Sequence, residues 1–183
     1  AYKLVDEAVR ANADCAKFQL RDLNALYVNK GNASDAKQDL GSQYTLDLLS
    51  RFQLSVEDMF KVFDYCNKKK ITPLCTPWDI PSIEALERYG LPAYKSASAD
   101  LTNHELLKRL YATGKPIICS TGMSTEADIR ESVTLLRDLG AQFALLHCNS
   151  TYPAPFKDLN LRYIETLRQI GNCPVGYSSH DRG

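Results

Sequence analysis

No run of apolar residues in this chain approaches the roughly 20 needed to cross a bilayer, so the sequence contains no membrane-spanning helix. An excess of one charge is missing as well: 22 basic residues balance 22 acidic ones. That balance argues against a broad nucleic-acid or anionic-membrane surface and leaves room only for a small basic pocket. The opening Ala-Tyr-Lys-Leu-Val-Asp-Glu is amphipathic and lacks the apolar centre of a signal peptide. The six cysteines include no C-x-x-C pair, which weakens a zinc-ribbon or thioredoxin-type reading. Cys15, Cys75, Cys119 and Cys148 fall in expected strands and read as buried, reduced, small apolar residues. Such usage fits a reducing, cytoplasmic compartment. Low-complexity tracts and second domain boundaries are also lacking, so residues 1–183 read as one domain.

What is present is a regular alternation. Short apolar runs at Cys15–Leu20, Thr72–Thr76, Ala93–Ser96, Pro116–Ser120, Phe143–Cys148 and Pro174–Ser178 read as strands. Amphipathic helices lie between them. Ser55 opens one with Met59, Phe63 and Cys66 on one face; Thr102 and Glu105 form a capping box for a second. Thr125 opens a third that ends near Gly140, and Leu159 to Ile170 is the last. Val28 to Gln43, rich in Asn, Asp, Lys, Gly and Ser, reads as a long surface loop. Strand–helix alternation implies a parallel sheet with right-handed crossovers. Nearly every strand ends in polar residues, which favours a (β/α)8 barrel over an open sheet with one switch point. A complete barrel needs about 250 residues. The expectation is therefore a TIM-barrel-type domain truncated to about six strands, with the first and last strands missing.

The two stretches Ser120–Thr125 and Leu145–Pro155 carry hydroxyls, an amide and an imidazole but no carboxylate, a chemistry suited to an anionic substrate. Lys17 and Gln19 share one face of their strand by period-two alternation. Lys17 is either a ligand-facing amine or a solvated edge lysine. Lys95 repeats the pattern in Tyr-Lys-Ser-Ala-Ser. The two lysines could neutralise a phosphate and a carboxylate together. Either could form a Schiff base, as in class I aldolases, or Lys95 could snorkel to solvent. Thr76 is placed to donate to an anion, while Trp78 reads as packing. Ser120-Thr121-Gly122 leads into a helix, where backbone N–H groups either bind phosphate or serve a simple cap. His147 reads as a satisfied core histidine; Ser150 and Tyr152, just beyond it, are better placed to touch substrate. His180, beside Ser178, Ser179 and Asp181, could ligate a metal or act as acid or base. His104 reads as an exposed helix residue.

Taken in order, Lys-Phe-Gln, Thr-Pro-Trp-Asp, Tyr-Lys-x-x-Ser, Lys-Pro-Ile-Ile-x-Ser-Thr-Gly-Met, Leu-Leu-His-Cys with Tyr-Pro-Ala-Pro, and Gly-Tyr-Ser-x-His span nearly the whole chain. Together they resemble the sialic acid synthase family, which includes N-acetylneuraminate, legionaminate and pseudaminate synthases. The resemblance implies a metal-dependent condensation of phosphoenolpyruvate with an N-acylated amino sugar. The product would be a nine-carbon 2-keto-3-deoxy acid, with phosphate released. It implies that Lys17, Thr76, Lys95, Ser98, Ser120, Ser150 and Ser178 hold phosphoenolpyruvate. Gln19 and Tyr152 would face the sugar, and His180 would ligate a divalent metal, typically manganese. In the family a second metal histidine and a sugar-binding acid lie beyond Gly183, and a first-strand glutamate precedes Ala1. A C-terminal antifreeze-like domain, which reaches across a homodimer, is likewise outside this sequence. Asp100, Ser179 and Ser150 stand where relatives often carry Glu, Asp and Asn. Two other readings stay open: a Schiff-base aldolase using Lys17 or Lys95, and a non-catalytic truncated barrel that binds anions.

Overall fold

A computed structural model of the chain describes residues 1–26 and 49–182. The expected loop at Val28 to Gln43 lies outside the described residues. The strands are β1 (Cys15–Leu20), β2 (Thr72–Pro77), β3 (Tyr94–Ser96), β4 (Ile117–Ser120), β5 (Phe143–Cys148) and β6 (Val175–Ser178). They form a six-stranded sheet in sequence order, β1-β2-β3-β4-β5-β6. The pairings from β2 through β6 are parallel. A strand order that never reverses is that of a (β/α) barrel, not of a doubly wound sheet, whose order turns back at a switch point. The longer helices are α1 (Tyr2–Arg10), α2 (Val56–Lys68), α3 (Ile80–Tyr89), α4 (His104–Tyr111), α5 (Glu126–Asp138) and α6 (Tyr163–Gly171).

The chain divides into two compact units. The first comprises Ala1–Pro73 and Pro77–Tyr89. Its core gathers Val5 of α1, Ala16 of β1, Val62 and Cys66 of α2, and Ile71, with Phe18 and Tyr65 packed against them. Alternation along β1 does this work: Ala16 and Leu20 are buried, while Cys15, Lys17 and Gln19 are exposed on the other face. Cys15 therefore departs from the expected buried strand cysteine, because it shares the outward register of Lys17. Ser55 caps α2 as expected, its hydroxyl accepting from the Asp58 N–H at 3.0 Å. Asp79 caps α3: its carboxylate accepts from the Ser82 N–H at 2.7 Å and the Asp22 N–H at 2.8 Å.

The second unit comprises Leu74–Thr76 and Gly90–Gly183. Ile117, Cys119 and Leu145 are fully buried, as are Leu101, Leu107, Leu110, Leu136 and Leu167. Each such leucine contributes about 1.5–3 kcal/mol by leaving water. Asn103, not Thr102, caps α4, accepting from the Leu106 N–H at 3.2 Å. Asn is the stronger N-cap of the two, and it takes the site from its neighbour. The last helix starts at Tyr163 rather than Leu159. A short 3-10 turn at Phe156–Asp158 and a left-handed Asn160 (φ 47°) separate it from the strand end. Thr125 opens α5 with a full capping box to Asp128, and Gly140 follows its end at φ 73°.

Candidate active site

Register settles which second-unit side chains share a face. Lys95 pairs with Ile118, two residues before Ser120; Ser120 pairs with Leu146, two before Cys148; and Cys148 pairs with Ser178. Cys75 pairs with Tyr94, which puts Thr76 on the face of Lys95. Thr76, Lys95, Ser120, Cys148 and Ser178 thus share one face, while Tyr94, Cys119, Leu145 and His147 occupy the other. The sequence placed Lys95, Thr76, Ser120 and Ser178 at strand ends; strand pairing puts them on a common surface.

Two of these groups are unusual. Thr76 is 2% exposed and Ser120 is 1% exposed, and neither hydroxyl oxygen has a hydrogen-bond partner among the described residues. Leaving a buried hydroxyl unsatisfied costs about 1–3 kcal/mol, so each such group calls for a partner. They lie on β2 and β4, on either side of half-buried Lys95 on β3. On the opposite face, burial pushes the Cys119 thiol up to about 12; nearby Cys173 adds to the rise, and the charge of Lys95 opposes it.

Beyond the strand ends the loops close tightly on each other. The Gly122 N–H donates to Ser98 Oγ at 3.2 Å, and Ser98 Oγ lies 3.1 Å from Cys148 Sγ. A Cβ on Gly122 would sit 2.7 Å from both Cys148 Sγ and Ser150 Oγ and 2.8 Å from the Cys148 carbonyl. Only glycine lets the β4 and β5 loops approach this closely, so Ser98, Gly122, Cys148 and Ser150 converge. The helix cap belongs to Thr125 and Asp128, three residues on, so the Gly122 N–H is not part of a helix start. Sequence reading missed Cys148 as a residue of this surface. The available signal was period two: with His147 in the core, Cys148 must face the other way.

His147 is 8% exposed, and its Nε2 lies 2.6 Å from the Leu159 carbonyl, the satisfied core histidine expected. His104 is half-buried beside Ser132 Oγ at 3.3 Å. His180 is different. Its Nδ1 faces the Asn149 carbonyl, and its Nε2 lies 2.9 Å from the Tyr152 hydroxyl. The Tyr152 ring stacks on the imidazole at 4.0 Å between centroids. The Ala154 N–H donates to the His180 carbonyl at 2.9 Å and pins the two loops together.

In the first unit, Lys17 and Gln19 share the exposed face of β1. Gln19 Oε1 accepts from Arg21 and, at 3.2 Å, from the Trp78 indole N–H. The Arg21 guanidinium lies 4.2 Å over the Trp78 ring. Trp78 packs as expected, yet it also orients Gln19, a role that spacing alone did not reveal.

A family model described as NeuB matches residues 4–183, and the chain belongs to the NeuB family. It is 33% identical over 195 residues to the N,N'-diacetyllegionaminic acid synthase of Campylobacter jejuni, covering 100% of this chain and 56% of that protein. It is 39% identical to the uncharacterized protein MJ1065 of Methanocaldococcus jannaschii, covering 99% of this chain and 50% of that one. The crystal structure of the N-acetylneuraminic acid (sialic acid) synthetase of Leptospira borgpetersenii superposes over 100% of this chain and 60% of its own, with a TM-score of 0.85 and 29% identity. The chain thus spans about half the length of the curated relatives it matches. The expected (β/α)-barrel type, with six strands in sequential order among the described residues, and the expected family are both met.

A divalent metal is implied by the resemblance, and His180 offers it one imidazole nitrogen, too few by itself to hold the ion. A carbonyl only accepts, so the Asn149 carbonyl keeps the imidazole proton on Nδ1 and leaves the Nε2 lone pair for a ligand role. Among the described residues no group of three or more His, Cys, Asp or Glu could hold a metal. No helix among them is long and apolar enough to cross a membrane.

Proposed function

We propose that the whole protein condenses phosphoenolpyruvate with an N-acylated amino sugar to a nine-carbon 2-keto-3-deoxy acid, releasing phosphate. One observation carries the anion half of this reading: two buried hydroxyls without partners, Thr76 and Ser120, flank Lys95 on one sheet face. A lysine point charge between two desolvated donors is a natural cradle for phosphate or carboxylate oxygens, and both hydroxyls gain the partner they lack. Ser98, Ser150 and Ser178 extend the donor set at the strand ends. Lys17 is assigned to phosphoenolpyruvate, and Gln19 and Tyr152 to the sugar, on the strength of the family resemblance. The homodimer and the cytoplasmic setting belong to the same proposal.

In the reaction, C3 of the enol bonds to the aldehyde carbon of the sugar, and the carbonyl oxygen takes up a proton. Water then adds at C2, and phosphate leaves. Lys95 and the hydroxyls hold the anion so that C3 faces the aldehyde, and they carry the phosphate charge as it departs. A bound divalent metal, manganese in the family, would supply Lewis-acid polarisation of that aldehyde, with His180 among its ligands. The test is calorimetric titration of the full-length protein with phosphoenolpyruvate. Lys95→Ala should weaken binding by about 1.5–3 kcal/mol, the range for losing a hydrogen bond to a charged group. Unchanged affinity would overturn the assignment.

A further inference from the structure

Ser98 differs from Thr76 and Ser120 in that its hydroxyl has partners. The Gly122 N–H donates to Ser98 Oγ at 3.2 Å, and Cys148 Sγ lies 3.1 Å from the same oxygen. A hydroxyl oxygen has two lone pairs and one proton. Gly122 takes one lone pair, and Cys148 meets what remains. A thiol both donates and accepts. Without an anion, Ser98 gives its proton to Cys148 Sγ. With an anion beside it, Ser98 turns that proton to the anion, and the Cys148 S–H donates to the second lone pair. Both lone pairs are then filled by donors, so the anion is left as the acceptor for the hydroxyl proton.

We propose that Cys148 is a positioning residue for phosphoenolpyruvate, its thiol holding the Ser98 hydroxyl in the orientation that donates to the anion. This rests on the phosphoenolpyruvate reading above. Cys148 ends β5 on the face shared by Thr76, Lys95, Ser120 and Ser178, and it pairs with Ser178. A second observation points to a ligand on the same part of that face. Ser120, on the neighbouring β4, is 1% exposed, and its hydroxyl has no partner among the described residues. Cys148 is itself 5% exposed, so its thiol is packed between loops and does not turn freely in water. Gly122 sets the spacing: a Cβ there would sit 2.7 Å from Cys148 Sγ, so the Gly122 backbone, the thiol and Ser98 close on one another without slack. The thiol thus acts on the anion through Ser98.

The test is calorimetric titration of the full-length protein with phosphoenolpyruvate, run as a double-mutant cycle. Cys148→Ala should weaken binding by about 3- to 10-fold, the loss of one neutral hydrogen bond. Cys148→Ser keeps a group that donates and accepts, and should bind within about 2-fold of wild type. In a Ser98→Ala background, Cys148→Ala should cost nothing further, because the hydroxyl it positions is gone. A loss caused by packing alone would persist in that background, so the cycle separates the two roles. Additive losses, unchanged affinity in Cys148→Ala, or a Cys148→Ser variant no better than Cys148→Ala overturns the positioning role; the anion site stands on its own as long as Lys95→Ala weakens binding. Failure of the wild-type protein to bind phosphoenolpyruvate at millimolar concentration removes both.

Discussion

Thr76 and Ser120 each keep a hydroxyl out of water with nothing among the described residues to bond it, and for Ser120 that gives stability and binding opposite signs. Ser120→Ala removes a desolvated oxygen from the folded state, so the thermal midpoint should hold or rise. Affinity for phosphoenolpyruvate should fall by about 3- to 10-fold, the loss of one donor. Calorimetry and thermal unfolding on the same variant separate the two; a fall in stability with intact binding would assign the serine to packing. The residue scale also shows how identical side chains diverge. His147 reads as core from its surroundings in sequence, and the structure agrees, because it is buried with its Nε2 2.6 Å from a backbone carbonyl; His180 instead holds its Nε2 toward an exposed tyrosine. Orphaned hydroxyls could not be read from sequence, since a buried serine ordinarily finds a partner.

Helices here are closed by their ends, and α5 shows it best. Thr125 and Asp128 exchange hydrogen bonds, the Thr125 hydroxyl accepting from the Asp128 N–H at 3.3 Å and the Asp128 carboxylate accepting from the Thr125 N–H at 2.8 Å. The Thr125 hydroxyl and N–H hold the Asp128 carboxyl below its ordinary value of 3.8. A carboxyl depressed on folding adds stability above its unfolded value that is lost as pH falls through the lower folded one. Loss of the N-cap in Thr125→Ala should cost about 1 kcal/mol near neutrality, and loss of its hydrogen bond to Asp128 should flatten the acid limb of stability below pH 3.8. Denaturant melts of both proteins across that range check this; parallel curves would mean that the cap carries no charge linkage. The alternation of strands and helices was legible because each element has its own period and punctuation. The start of α6 was not, because a left-handed Asn160 interrupts a pattern that looks continuous from Leu159.

For the whole molecule, the chain's share of its relatives' length sets what must be tested on the complete protein. Keto-acid production there should stop on chelation, return with Mn2+, and fall at least 100-fold in His180→Ala, because an unpolarised aldehyde is a poor electrophile for an enol phosphate. Normal production by His180→Ala in excess chelator would end the metal mechanism. Borohydride added with pyruvate should leave Lys17 and Lys95 unmodified; a reduced adduct would favour the Schiff-base aldolase. Period-two and helical patterns, strand-end hydroxyls and balanced charge were local properties, so the sequence by itself determined the strand–helix order, the family and most candidate site residues. Contacts between residues far apart in the chain belong to the tertiary structure. Parallel pairing put Thr76, Lys95, Ser120 and Ser178 on one face. Close loop approach at Gly122 drew Ser98, Cys148 and Ser150 together. The fold also set Tyr152 on His180, since no spacing rule says which side chain from 28 residues away will reach a given lone pair.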